Sequence, residues 1–156
     1  MLLWHLLCLS AVLAAGDPAV QQPIPYSHKT HLKLGLTCAD CHTLPGKGSA
    51  AGFPPESKCM RCHTAVKAES AHIRKLAAYA QEGREVPWVR VYKLPDYVWF
   101  SHRRHHVNAR IGCETCHGPV SERDAIVKEK PIDMRSCMAC HEERNASNEC
   151  SFCHNP

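Results

Sequence analysis

Aromatic residues are scarce in this chain. Only ten of its 156 residues are Phe, Trp or Tyr. A core made of protein side chains alone would be thin at this length. Long apolar runs are missing as well. The stretch Leu6 to Leu13 is too short to cross a bilayer, and no other segment is apolar enough for a membrane helix. Neither sign of charge dominates, since 19 Lys and Arg against 15 Asp and Glu leave a formal +4. What the chain does have is 11 Cys and 12 His.

Residues 1–16 read as a secretory signal peptide: a short apolar run followed by the small residues Ala14, Ala15 and Gly16. No Lys or Arg precedes the run, which departs from the usual pattern, and Cys8 lacks the small residues expected before a lipoprotein cysteine. The expectation is export to the periplasm or beyond, with an uncleaved anchor as the alternative.

Beyond Cys8, the cysteines fall into five pairs of one spacing: Cys38 and Cys41, Cys59 and Cys62, Cys113 and Cys116, Cys137 and Cys140, Cys150 and Cys153. Ten cysteines in an oxidising compartment would ordinarily suggest disulfides. The next residue decides otherwise. Each pair is followed at once by a histidine: His42, His63, His117, His141 and His154. Chance alone would place all five with a probability on the order of a few in a million. Zinc would need four ligands, usually two pairs per metal, and no histidine after each pair. C-x-x-C-H is instead the attachment motif of haem c. Two thiols add to the vinyl groups of one porphyrin, and the histidine becomes the proximal iron ligand. Five covalently bound haems c are expected.

Each iron needs one further axial ligand. Six histidines remain outside the motifs and the leader: His28, His31, His72, His102, His105 and His106. They are enough for five bis-histidine irons, which argues against an open catalytic iron. Tyr26-Ser27-His28-Lys29-Thr30-His31 precedes the first motif and Phe100-Ser101-His102-Arg103-Arg104-His105 precedes the third. Both read aromatic-Ser-His-x-x-His, an internal repeat that organises the chain. The repeat favours His105 over its neighbour His106. A helix is expected over about residues 65–81, with Gly83 just past its end and His72 on the inward face beside Leu76 and Tyr79. Met134 is a weak alternative ligand.

The expected organisation is an extended arm (17–25), a first module with two motifs (24–83), a connector (84–98) and a second module with three motifs (99–156). Residues 43–58 are rich in Gly, Pro and Ser and read as a loop. Trp88 to Tyr92 alternates and reads as a short strand. Trp88 and Trp99 are candidates for packing on haem or for capping a small core. The fold class is mainly α with little regular secondary structure, its haems forming much of the core.

The aromatic-Ser-His-x-x-His segments and the five motifs, over about residues 24–156, resemble the class III multihaem cytochromes c, the cytochrome c3 and c7 group. The resemblance implies a compact chain of two c7-like modules. It also implies that His28 serves the haem of His42 and His102 that of His117. His31, His105 and His72 would serve the other three in an order left open. Five haems, and the stretch from Leu94 to His102, look more like pentahaem subunits of membrane quinol-oxidising complexes. The implied activity is single-electron transfer to redox protein partners, with no small-molecule substrate. An extracellular haem wire and a multihaem oxyanion reductase are the competing readings. Two propionates on each haem outweigh the formal +4, so the basicity does not argue for nucleic acid.

Overall fold

A computed structural model describes residues 20–44 and 50–154. The expected signal peptide, the first residues of the expected arm and residues 45–49 of the expected loop lie outside the described residues. Among the described residues there are seven short α-helices: α1 His28–Leu32, α2 Cys38–Cys41, α3 Glu56–His63, α4 Ala71–Gln81, α5 Glu114–His117, α6 Met134–Glu143 and α7 Cys150–Cys153. A π-helical segment covers Arg103–Asn108 and a 3₁₀ turn covers Val120–Glu122. No strand occurs among the described residues.

The motifs account for most of these helices. A helical turn brings residues three apart onto one face, so it aims both sulfurs of C-x-x-C the same way. Caps hold such short pieces in place. The Ser27 hydroxyl accepts from Thr30 N at 3.0 Å at the start of α1. The Asp40 carboxylate accepts from Thr37 N at 2.7 Å across α2. Asp133 accepts from Ser136 N at 2.8 Å ahead of α6. Each cap satisfies an amide that the first turn leaves without a helical partner.

The buried apolar core is small. Ile24, Leu76 and Val86 are 4–5% exposed, and Met60, Ile73, Tyr79 and Trp88 pack against them. All of this lies in the first two thirds of the chain, where α3 meets α4. Glu56, itself buried, accepts from Val86 N at 2.6 Å and so fastens the connector to α3. Trp88 caps this core beside Tyr26 and Phe53, with ring centres 6.4 Å away in each case.

Three expectations are corrected. The helix expected over 65–81 begins only at Ala71, because Lys67 turns the chain with a φ of 53°. Gly83, at φ 63°, does end it, in a conformation that costs glycine little. The loop expected over 43–58 gives way to α3 at Glu56, just after Pro55 in the capping position. Trp88 to Tyr92 forms no strand. Among the described residues no neighbouring segment offers a ladder, and the Gln22 amide takes the place of one. It donates to Val89 O at 2.8 Å and accepts from Val89 N at 2.9 Å.

The two halves of the chain touch directly. Lys29 N donates to Arg123 O at 3.0 Å, and the Ser27 hydroxyl donates to the Asp124 carboxylate at 2.5 Å. These contacts seat α1 on the 3₁₀ turn. Gly118 ends α5 with a φ of 74°, and a Cβ there would lie 3.0 Å from the Glu129 carboxylate.

Candidate haem-binding sites

Four of the five motif histidines face a second histidine. The ring centres of His28 and His42 are 6.3 Å apart with planes 10° apart, and those of His102 and His117 are 6.3 Å and 8° apart. His31 lies 6.2 Å from His63, and His105 lies 6.0 Å from His141. One metal ion between two imidazoles, with metal–nitrogen bonds of about 2 Å, sets the ring centres roughly 6 Å apart. These rings stand where an iron between them would require.

Their protons are arranged to match. His31 Nδ1 lies 2.7 Å from Ser27 O, His42 Nδ1 2.8 Å from Gly52 O, and His63 Nδ1 2.9 Å from Val66 O. His105 Nδ1 lies 2.9 Å from Ser101 O, and His141 Nδ1 2.7 Å from Ser147 O. A carbonyl oxygen can only accept, so each Nδ1 carries the proton and each Nε2 presents its lone pair. This is the tautomer that binds a metal through Nε2. Burial, with His42 and His31 close by, holds His28 down at about 4 from its ordinary 6.5, so it is neutral at physiological pH. Its buried Nδ1 has no hydrogen-bond partner. Burial likewise lowers His117, with His102 and His42 adding to it.

The internal repeat recurs in three dimensions. Tyr26 meets His28 edge-on at 4.8 Å and stacks on His31 at 4.4 Å. Phe100 meets His102 at 4.8 Å and His105 at 4.4 Å in the same two ways. The serine of each segment supplies the carbonyl for the second histidine and the hydroxyl that accepts from the backbone three residues on. One short sequence thus orients two imidazoles in different directions, toward two motifs.

The cysteines are unbridged and cluster from motif to motif. Burial pushes the Cys59 thiol up, and nearby Cys41 adds to it. Burial also raises Cys113, which has Cys38 as hydrogen-bonding neighbour. It raises Cys116 beside Cys140, and Cys137 beside Cys153. These neighbours link the second motif to the first, the first to the third, the third to the fourth and the fourth to the fifth.

Two of the histidines named as ligands sit elsewhere. His72, expected to point inward, is exposed in the first turn of α4. His106 is also exposed, its Nδ1 bound to Ile111 O at 2.9 Å. The ring against His154 is Tyr97, 5.8 Å away and tilted 31°. Sequence reasoning also missed Tyr92. It lies edge-on to His117 at 4.6 Å, donates to His117 O at 3.4 Å and accepts from Glu129 N at 3.2 Å. No local pattern marks it, because its partners lie at least 25 residues away.

Paired imidazoles, helical C-x-x-C turns and a thin apolar core define a helical multihaem cytochrome c. The comparisons agree. Residues 98–155 match the family described as cytochrome c7 and related cytochrome c. Over 161 aligned residues the chain is 32% identical to the multihaem cytochrome c subunit of menaquinone reductase from Nitratidesulfovibrio vulgaris, covering 86% of this chain and 77% of that one. It is 24% identical to the multihaem cytochrome MtrA of Shewanella baltica over 78% of its own length, but spans only 36% of MtrA. The chain belongs to the class III-like multihaem cytochromes c, electron-transfer proteins that carry covalently bound haem c.

Proposed function

We propose that the chain is an exported pentahaem cytochrome that carries single electrons along a row of five closely spaced haems in a respiratory chain. The observation that carries this reading is the set of four histidine pairs at 6.0–6.3 Å, each joining a motif histidine to one outside the motifs. Haem c, when bound, supplies an iron that alternates between ferric and ferrous. The cysteine pairs 38/41, 59/62, 113/116, 137/140 and 150/153 hold the five porphyrins as thioethers. The pairs His42 and His28, His63 and His31, His117 and His102, and His141 and His105 would each hold one iron. The carbonyls on Nδ1 of His31, His42, His63, His105 and His141 keep those five rings from rotating and raise their basicity. Two histidines on one iron favour a lower potential than a His/Met pair, which suits low-potential electron flow.

The row of cysteine neighbours supports conduction in the order second, first, third, fourth, fifth, with entry and exit at the ends. The segments 24–83 and 99–156 act as two related modules joined by 84–98. A subunit role in a membrane quinol-converting complex is the second reading. It is favoured by likeness along 77% of the menaquinone reductase subunit. Among the described residues no helix is long and apolar enough to cross a membrane, so attachment would run through a partner.

The test is intact mass combined with a pyridine haemochrome titration on the protein matured in a haem c-competent host. Five haems per chain are expected, and fewer would overturn the reading. Co-purification with a detergent-solubilised partner, as against a free monomer, separates complex subunit from free carrier.

A further inference from the structure

Motif five differs from the other four in what faces its histidine. The paired histidines and His154 are all half-buried, whereas His72 and His106 are exposed. Neither of these two makes a ring contact with a motif histidine, although His106 has its proton on Nδ1 as the ligands do. Tyr97, which makes a ring contact with His154, is 69% exposed, and Phe152 inside the motif is 58% exposed. Motif five joins motif four, with Cys153 beside Cys137. The surplus of histidines counted in the sequence therefore does not reach this site.

Resting on the pentahaem reading above, we infer that the iron held by Cys150, Cys153 and His154 has no histidine among the described residues on its far side and leaves that position, beside the exposed Tyr97, as a binding site for small neutral π-acceptor ligands such as carbon monoxide and nitric oxide. Binding is simple addition. The ligand's lone pair enters the open position of the ferrous iron, no bond is broken, and no external oxidant or reductant is consumed in the step. Four irons saturated by histidine pass electrons without exchanging ligands, and the terminal one combines electron exit with ligand capture. Tyr97 forms the exposed wall of the site.

Electron paramagnetic resonance of the oxidised holoprotein and carbon monoxide titration of the reduced holoprotein test this together. One high-spin iron in five and one carbon monoxide per chain are expected. Single substitutions His72→Ala, His106→Ala, Tyr97→Phe and Met134→Leu should each leave that stoichiometry at one. Five low-spin irons with no carbon monoxide bound would overturn the inference. A variant that gains carbon monoxide binding absent from the parent would overturn it and name the residue that fills the site. A high-spin signal lost as protein concentration rises would also overturn it, in favour of a histidine from a second copy. A haem count below five would instead overturn the underlying pentahaem reading, so the two failures are distinguishable.

Discussion

Glu56 is the buried side chain on which the connector depends. Its carboxylate receives Val86 N at 2.6 Å, next to the Ile24, Leu76 and Val86 core. Removing an acceptor while its buried donor stays costs about 1–3 kcal/mol. Glu56→Ala should therefore destabilise the holoprotein by roughly that amount in chemical denaturation, while Glu56→Gln, which keeps an acceptor oxygen, should recover most of it. Equal losses in the two variants would show that the hydrogen bond is not what matters there. Glu56 drew no attention in the sequence, because its partner lies 30 residues away. The motif residues were legible for the opposite reason. C-x-x-C-H writes its chemistry into five consecutive positions, and aromatic-Ser-His-x-x-His into six. Those segments single out His28, His31, His102 and His105, the four rings that face motif histidines. Helical spacing put His72 on an inward face, whereas the helix starts only after the turn at Lys67 and His72 is exposed in its first turn.

At the scale of elements, α6 shows how a motif is held by its cap. Asp133 accepts from both the amide and the hydroxyl of Ser136, at 2.8 Å each. Those bonds, the backbone one first, hold its carboxyl below the ordinary 3.8. A carboxyl lowered in the folded state contributes stability that is fully present above 3.8 and is lost as pH falls through the folded value. The melting temperature of Asp133→Ala should lie below that of the parent at neutral pH, and the gap should narrow below 3.8. Asp133→Asn keeps the cap without the titration, so its gap to the parent should not follow that course. A gap between parent and Asp133→Ala that is constant with pH would remove Asp133 from the account. Elements of this kind were partly legible. Helices at the motifs follow from the spacing of the two sulfurs. The strand read in Trp88 to Tyr92 failed because alternation specifies a pleated face but not a partner, and the partner proved to be the side chain of Gln22, 67 residues distant.

At the scale of the whole molecule, the distribution of the apolar core sets how the chain can fold. Ile24, Leu76 and Val86 make up the buried hydrophobic residues among those described, and none lies beyond Val86. Residues 98–154 carry three motifs, yet Trp99, Val107, Met134, Met138 and Phe152 are all exposed in the protein alone. Such a segment cannot offset the entropy of ordering its backbone, about 1–2 kcal/mol per residue, with its own side chains. The haems must supply that burial, as metals do in small metallo-domains. Position in the row then decides what each haem is worth. Motif three is central, with Cys113 beside Cys38 on one side and Cys116 beside Cys140 on the other. Motif five has Cys153 beside Cys137 of motif four. The double substitution Cys113→Ala/Cys116→Ala should thus leave residues 98–154 open to limited proteolysis and lower the yield of the other haems. Cys150→Ala/Cys153→Ala should leave a protease-resistant chain with four haems. Haem content by mass and the cleavage pattern read both outcomes. Equal resistance in the two variants would mean that the polypeptide, not the row of haems, holds the second half together.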